Sequence, residues 1–170
     1  DCVNIAQAFI DNNMSGNNDM VGFVLTDNVA GAYNSNFAMD PILNTLDVYL
    51  RSWVINDDGT IEYGSVQPQA KEGLACLADL YQRGLIDKEF AVRSMDDITE
   101  LILNRRCGIC FAAWYLPDWP LSNMVVADPD SNWVPVLAPL STDGKIHPMT
   151  QQLHKTWLCV RKGYEHPEIG

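Results

Sequence analysis

The run from Trp53 to Phe90, WVINDDGTIEYGSVQPQAKEGLACLADLYQRGLIDKEF, constrains the fold more than any other part of the chain. It reads as a hairpin, a capped amphipathic helix and a stop. Asp57-Asp58-Gly59 supplies a tight turn between two short apolar segments, Trp53–Ile55 and Ile61–Tyr63. Pro68 stands where the first turn of a helix tolerates proline. Leu74, Leu77, Leu80 and Tyr81 recur at helical spacing, and Gly84 follows the last turn as a stop. Leu74, Leu77 and Tyr81 are expected in the core.

The same signals organise the rest of the chain. Val3, Ile5, Ala6, Phe9 and Ile10 form a partial apolar stripe, so the chain opens inside a helix. A polar stretch, Asp11 to Asp19, leads to a predicted buried strand over Met20–Leu25, which ends at Thr26-Asp27-Asn28. Beyond a Gly/Asn-rich loop, Pro41–Arg51 reads as a helix with Ile42, Leu46 and Tyr49 on one face. Asp96–Asn104 reads as another, its two early acids suited to the helix dipole. A strand over Gly108–Ala113 and a short helix over Leu121–Ala127 follow. Trp133–Leu137 and Thr156–Val160 read as strands, with a turn at Asp143-Gly144 between them. His166 to Gly170 resembles a helix start with Pro167 near its first turn. Strands alternate with helices, so the expected class is α/β in a single domain over residues 1–170.

At 170 residues the chain can bury a sizeable core. Its net charge of −11 argues against nucleic acid, whose binding depends on clustered Lys and Arg. The acids are spread along the chain, as on a self-repelling soluble surface. The most apolar run, Ile109 to Leu116, is far shorter than the roughly 20 residues of a membrane span. No basic segment followed by an apolar run opens the chain.

The five cysteines, Cys2, Cys76, Cys107, Cys110 and Cys159, are odd in number and irregular in spacing, unlike a disulfide framework. Cys107-Gly-Ile-Cys110 has the CxxC form. A redox role needs the first cysteine at a helix N-terminus, and here the pair lies in an apolar run expected to form a strand. No second CxxC completes a zinc site. Small buried hydrophobes are the expected role for most of these thiols.

The segment DGTIEYGSVQPQAKEGLACLADLYQRGLIDKEF resembles the lobe signature of family 1 extracellular solute-binding proteins, the receptors of bacterial ABC importers, in their carbohydrate-binding branch. Three further stretches agree in order: Ala8-Phe9-Ile10-Asp11 through Gly22-Phe23, Cys107 through Trp114, and Thr156-Trp-Leu-Cys-Val160 followed by His166-Pro167-Glu168. The resemblance implies one lobe of a periplasmic-binding-protein-like (type II) clamshell, a mixed sheet flanked by helices. The chain would be most of the C-terminal lobe. It implies a non-catalytic sugar or oligosaccharide receptor, with ABC permease subunits and a first lobe as partners. A signal peptide and a lipid-anchored N-terminus at the cell surface would lie outside this sequence.

A sugar presents flat C–H faces and a ring of hydroxyls, so its receptor needs aromatic faces and hydrogen-bonding side chains. Trp114, Tyr115 and Trp119 cluster just after a predicted strand, where ligands of open α/β sheets bind. By resemblance Trp114 matches the family's stacking tryptophan. The alternative is that these rings pack against Pro117, Pro120 or the core. Asp27 and Asn28 close the first strand, with Tyr33 a few residues on. The alternative for Asp27 is an Asx turn.

Asp11, Asn13, Ser15, Asn17 and Asp19 alternate around Gly16, as in an EF-hand-like calcium loop, which some relatives in the resembled family carry. The twelfth position is Gly22 rather than a bidentate glutamate. The alternative is an Asx-rich connector after the first helix. Two other functions stay open: a glycoside hydrolase using two carboxylates, and a calcium-dependent adhesion or scaffolding module. His147, His154 and His166 read as scattered surface or loop residues.

Overall fold

A computed structural model describes residues 2–30, 36–149 and 159–166. Helix α1 (Cys2–Asp11) precedes strand β1 (Val21–Phe23), and a short α2 (Asp40–Leu43) continues into a 3-10 turn over Asn44–Leu46. The hairpin β2 (Trp53–Ile55) and β3 (Ile61–Tyr63) leads to α3 (Pro68–Gln82). Helix α4 (Met95–Leu103), strand β4 (Cys107–Ile109) and α5 (Leu121–Ala127) follow.

Strands β1 and β4 pair in parallel, with Val21 opposite Cys107 and Phe23 opposite Ile109. Ile86 adds a parallel bridge on the far side of Phe23, so β1 is central. Helix α4 lies between Ile86 and β4 in the chain, as a parallel connection requires. Phe23 and Leu25 enter one apolar cluster, with Ala6 of α1 and Leu77 and Leu80 of α3. Val24 enters a second, with Ile98, Leu101 and Ile102 of α4 and Met124 of α5. Helices therefore cover the strand on both sides, and the class is α/β. Among the described residues the parallel and antiparallel pairs form separate two-stranded ladders and not the one mixed sheet expected.

The hairpin has the expected boundaries, with Trp53 opposite Tyr63 and Ile55 opposite Ile61. Its loop closes through Gly59 N–H donating to the Asn56 carbonyl at 2.9 Å, and Gly59 takes φ +82°, where a side chain would be strained. Pro68 opens α3, and Gly84, at φ +76°, ends it. Leu77 is buried as expected, but Leu74 is 55% exposed, and Tyr81 is also exposed. Helix α3 docks instead through Ala70, Gly73, Leu77 and Leu80. A Cβ on Gly73 would lie 2.9 Å from Val48, so this helix approaches its neighbour through a glycine and turns Leu74 outward.

Other expectations are corrected. The first strand is shorter than Met20–Leu25. The helix predicted over Pro41–Arg51 stops early, because Asp47 adopts a left-handed conformation (φ 55°) and closes the 3-10 turn. Leu46 is exposed and Val48 takes the core position. The strand predicted over Gly108–Ala113 begins at Cys107 and ends at Ile109, where pairing with β1 runs out. Trp133–Leu137 forms no ladder with any of the described residues, and Val134, Val136 and Leu137 are exposed. The turn at Asp143-Gly144 forms, with Gly144 N–H donating to the Ser141 carbonyl. Tyr33, His154, residues 156–158 of the last predicted strand and residues 167–170 of the predicted final helix lie outside the described residues. No helix among the described residues is long and apolar enough to cross a membrane.

Candidate functional site

The carboxyl ends of β1 and β4 are stitched together by Asn36 and Phe37. Thr26 N–H donates to the Phe37 carbonyl at 3.1 Å, and Phe37 N–H donates to the Phe111 carbonyl at 2.7 Å. Asn36 then fixes the run after β4. Its carboxamide oxygen accepts from Ala113 N–H at 2.9 Å, and its Nδ2 donates to Tyr115 Oη at 2.7 Å. Sequence reasoning missed Asn36. An asparagine beside a Gly/Asn-rich loop carries no signal of a partner so distant in the chain.

Tyr115, held in this way, meets Trp114 edge to face, with ring centroids 5.8 Å apart and planes at 88°. Trp114 is 82% exposed. Its indole therefore stands in solvent against a fixed neighbour and is not packed into the core. Trp119 is partly exposed, and its N–H donates to the Tyr115 carbonyl at 3.1 Å, closing the turn that carries all three rings.

The β1 end is built differently. Thr26 Oγ1 accepts from Asn28 N–H at 3.3 Å, so the threonine closes this turn. Asp27 is exposed. Asn28 Oδ1 accepts from the Arg51 guanidinium at 2.7 Å. Arg51 sits at φ 61°, and this bond ties the base of the hairpin to the strand end. It too was invisible in the sequence.

A cavity of about 240 Å³ opens beside the aromatic run. Pro41, Asn44, Phe111, Ala113, Ile146 and His147 are among the residues that line it. His147 lies in a loop, as expected. Its ring bridges Asp47 and Asp143, and the hydrogen bonds it donates to Asp143 and then to Asp47 raise its pKa above the ordinary histidine value.

The Asp11–Asp19 stretch folds on itself. Asn13 Oδ1 accepts from Asn18 N–H at 2.7 Å, and Ser15 Oγ donates to Asp19 Oδ1 at 2.9 Å. Asp11 accepts from Gln7, and Asn17 N–H donates to Ser15 Oγ. Asp19 Oδ2 pairs with Arg106 Nε at 2.9 Å, so a cation there would compete with a guanidinium. No cluster of three or more His, Cys, Asp or Glu suited to a metal occurs among the described residues.

All five cysteines are free. Burial pushes the Cys107 thiol well up and Cys110 up to about 12, opposite to what a redox thiolate requires. Cys107 belongs to β4 and not to a helix N-terminus. No protein-family model matches this chain, and comparison with the curated proteins and with the solved structures likewise gave no match.

Proposed function

We propose that this chain is the sugar-binding lobe of an extracellular solute receptor serving an ABC importer. One observation carries the reading: Trp114 presents its indole to solvent at the carboxyl edge of the parallel strands, against a Tyr115 that Asn36 holds in place. A flat aromatic face costs free energy in water and gains it under the C–H face of a pyranose ring. A partner already fixed in position reduces the ordering cost of binding. Asn28, Asp27 and Trp119 lie on the same strand-end loops and supply the polar and second aromatic contacts. Tyr33 belongs with them by its place in the chain.

The reading extends to a type II clamshell, in which a first lobe completes the cleft and membrane permease subunits receive the ligand. It places the whole receptor at the cell surface on a lipid anchor. The groups gathered at the strand ends stack and hydrogen-bond, as in a binder, and no nucleophile–base pair is among them. The Asp11–Asp19 loop enters as a self-bonded connector, because Asp19 is already engaged by Arg106.

Isothermal titration of the intact receptor against a panel of oligosaccharides, with di- and tripeptides as the counter-panel, tests the proposal. Saturable heat from at least one sugar is expected. Binding of peptides with no sugar response sinks it.

A further inference from the structure

One wall of the cavity carries a histidine whose two ring nitrogens each meet a carboxylate, between two side-chain ties to the body at Ser141 and Met149. His147 Nδ1 lies 2.8 Å from Asp47 Oδ1, and Nε2 lies 3.0 Å from Asp143 Oδ2. Neutral imidazole has one N–H, so it satisfies one acceptor and turns a lone pair toward the other. Only the imidazolium donates to both. Geometry therefore selects the charged ring, and both carboxylates are more exposed than the ring they hold.

The two acids belong to different parts of the molecule. Asp47 ends the 3-10 turn after α2 and is part of the body. Asp143 belongs to the tight turn that Ser141 and Lys145 close, Ser141 N–H donating to the Lys145 carbonyl at 2.8 Å. Ser141 Oγ makes a second tie to the body, donating to the Thr45 carbonyl at 3.0 Å. The residues that follow, Ile146 to Met149, line the cavity together with Pro41 and Phe111.

We propose that His147 is a pH-controlled latch: its imidazolium fastens the 141–149 strap beside the cavity, and loss of either ring proton frees one end of that fastening. The latch deepens the sugar-binding reading by giving the same site a regulation, and it rests on that reading only for what the cavity receives. Asp47 and Asp143 face the ring directly. Lys145 shares the turn with Asp143, and Asp40 lines the same cavity from α2. Tyr49, whose phenol is pushed up by burial and then by Asp47, lies behind the body carboxylate. The direction follows from the raised histidine pKa. The latch is complete below the ordinary histidine value of about 6.5 and is lost as pH rises through the raised value.

Hydrogen–deuterium exchange of the intact, ligand-free protein tests this, with rates corrected for intrinsic pH dependence and α3 as the folding control. Peptides covering 141–149 should exchange several-fold more slowly at about pH 5.5 than at about pH 8.5, a span that brackets histidine titration. His147→Gln should exchange fast at both values while α3 stays protected. Should that variant loosen α3 as well, Asp47→Asn decides, since it keeps an acceptor for the ring but removes the body carboxylate's charge, and should shrink the pH step. Proton NMR of the His147 ring should show a pKa above the ordinary value that falls in Asp47→Asn. A strap with no pH step in the wild type, or a step that survives in His147→Gln, overturns the latch. Because no sugar is present, that failure is separate from any failure of the sugar titration.

Discussion

Gly22 and Gly108 lie side by side on β1 and β4, bracketed by the pairs Val21–Cys107 and Phe23–Ile109. A Cβ on Gly108 would stand 2.5 Å from the Phe9 ring, and one on Gly22 would stand 2.7 Å from the Leu85 carbonyl oxygen and 3.2 Å from Ala6 Cβ. The paired glycines form a bare shelf on which α1 rests.

Each glycine is therefore expected to resist even a methyl group. Gly22→Ala should destabilise by about 1–3 kcal/mol, at the upper end because a backbone carbonyl is the obstacle. Gly108→Ala should cost less, since the Phe9 ring can shift. Phe9→Ala combined with Gly108→Ala should lose less than the sum of the single changes. Urea midpoints at constant m-value decide this, and strict additivity would refute the contact.

Much of this architecture was legible because its signals are local. Gly59 and Gly84 sit where positive φ is required, and the hairpin, α3 and α5 follow from them and from apolar spacing. What failed depended on neighbours distant in sequence. Nothing in Pro41–Arg51 announces that Asp47 turns left-handed. Leu74 looks like core until Gly73 is seen against Val48. Trp133–Leu137 has strand composition but no partner strand among the described residues. At the site, Trp114 was legible as an aromatic after a strand, whereas Asn36, Arg51 and His147 work through partners that sequence spacing cannot show.

Asp87 is buried and receives Arg93 Nε at 2.7 Å, with Glu89 N–H donating to its other oxygen. Removing the guanidinium strands a carboxylate away from water. Arg93→Ala should cost about 2–4 kcal/mol, somewhat below a fully buried pair because the arginine side chain is partly exposed. Arg93→Lys should recover part of it. A loss no greater than that of the exposed pair Arg83–Asp79 would show that solvent already screens the bridge.

Ser94 caps α4 reciprocally with Asp97: the hydroxyl accepts from Asp97 N–H, and the carboxylate accepts from Ser94 N–H at 2.7 Å. Bonds from the Ser94 side chain and then its backbone hold the Asp97 carboxyl below its usual value. That contribution is present above the ordinary aspartate value and fades as pH falls through the depressed one. Ser94→Ala should cost about 1 kcal/mol at neutral pH. In Asp97→Asn the acid-side fall in stability should begin less steeply. An unchanged acid limb in urea titrations would contradict the box.

Thiol reactivity should follow exposure. Cys159 is exposed, whereas Cys107 is buried and, like Cys110, has its thiolate disfavoured by burial. Iodoacetamide under native conditions should label Cys159 first and leave Cys107 and Cys110 until the protein unfolds. Fast native labelling of Cys107, read by peptide mass spectrometry, would contradict the buried strand position.

The account turns on Trp114. Its most direct measurement is titration of the intact protein, wild type and Trp114→Ala, with a sugar from the responding panel. Loss of at least about tenfold in affinity, roughly 1.4 kcal/mol, is predicted for the alanine variant, with Trp114→Phe intermediate. Equal affinity of wild type and Trp114→Ala for the same sugar would contradict the claim that this exposed indole is the sugar platform.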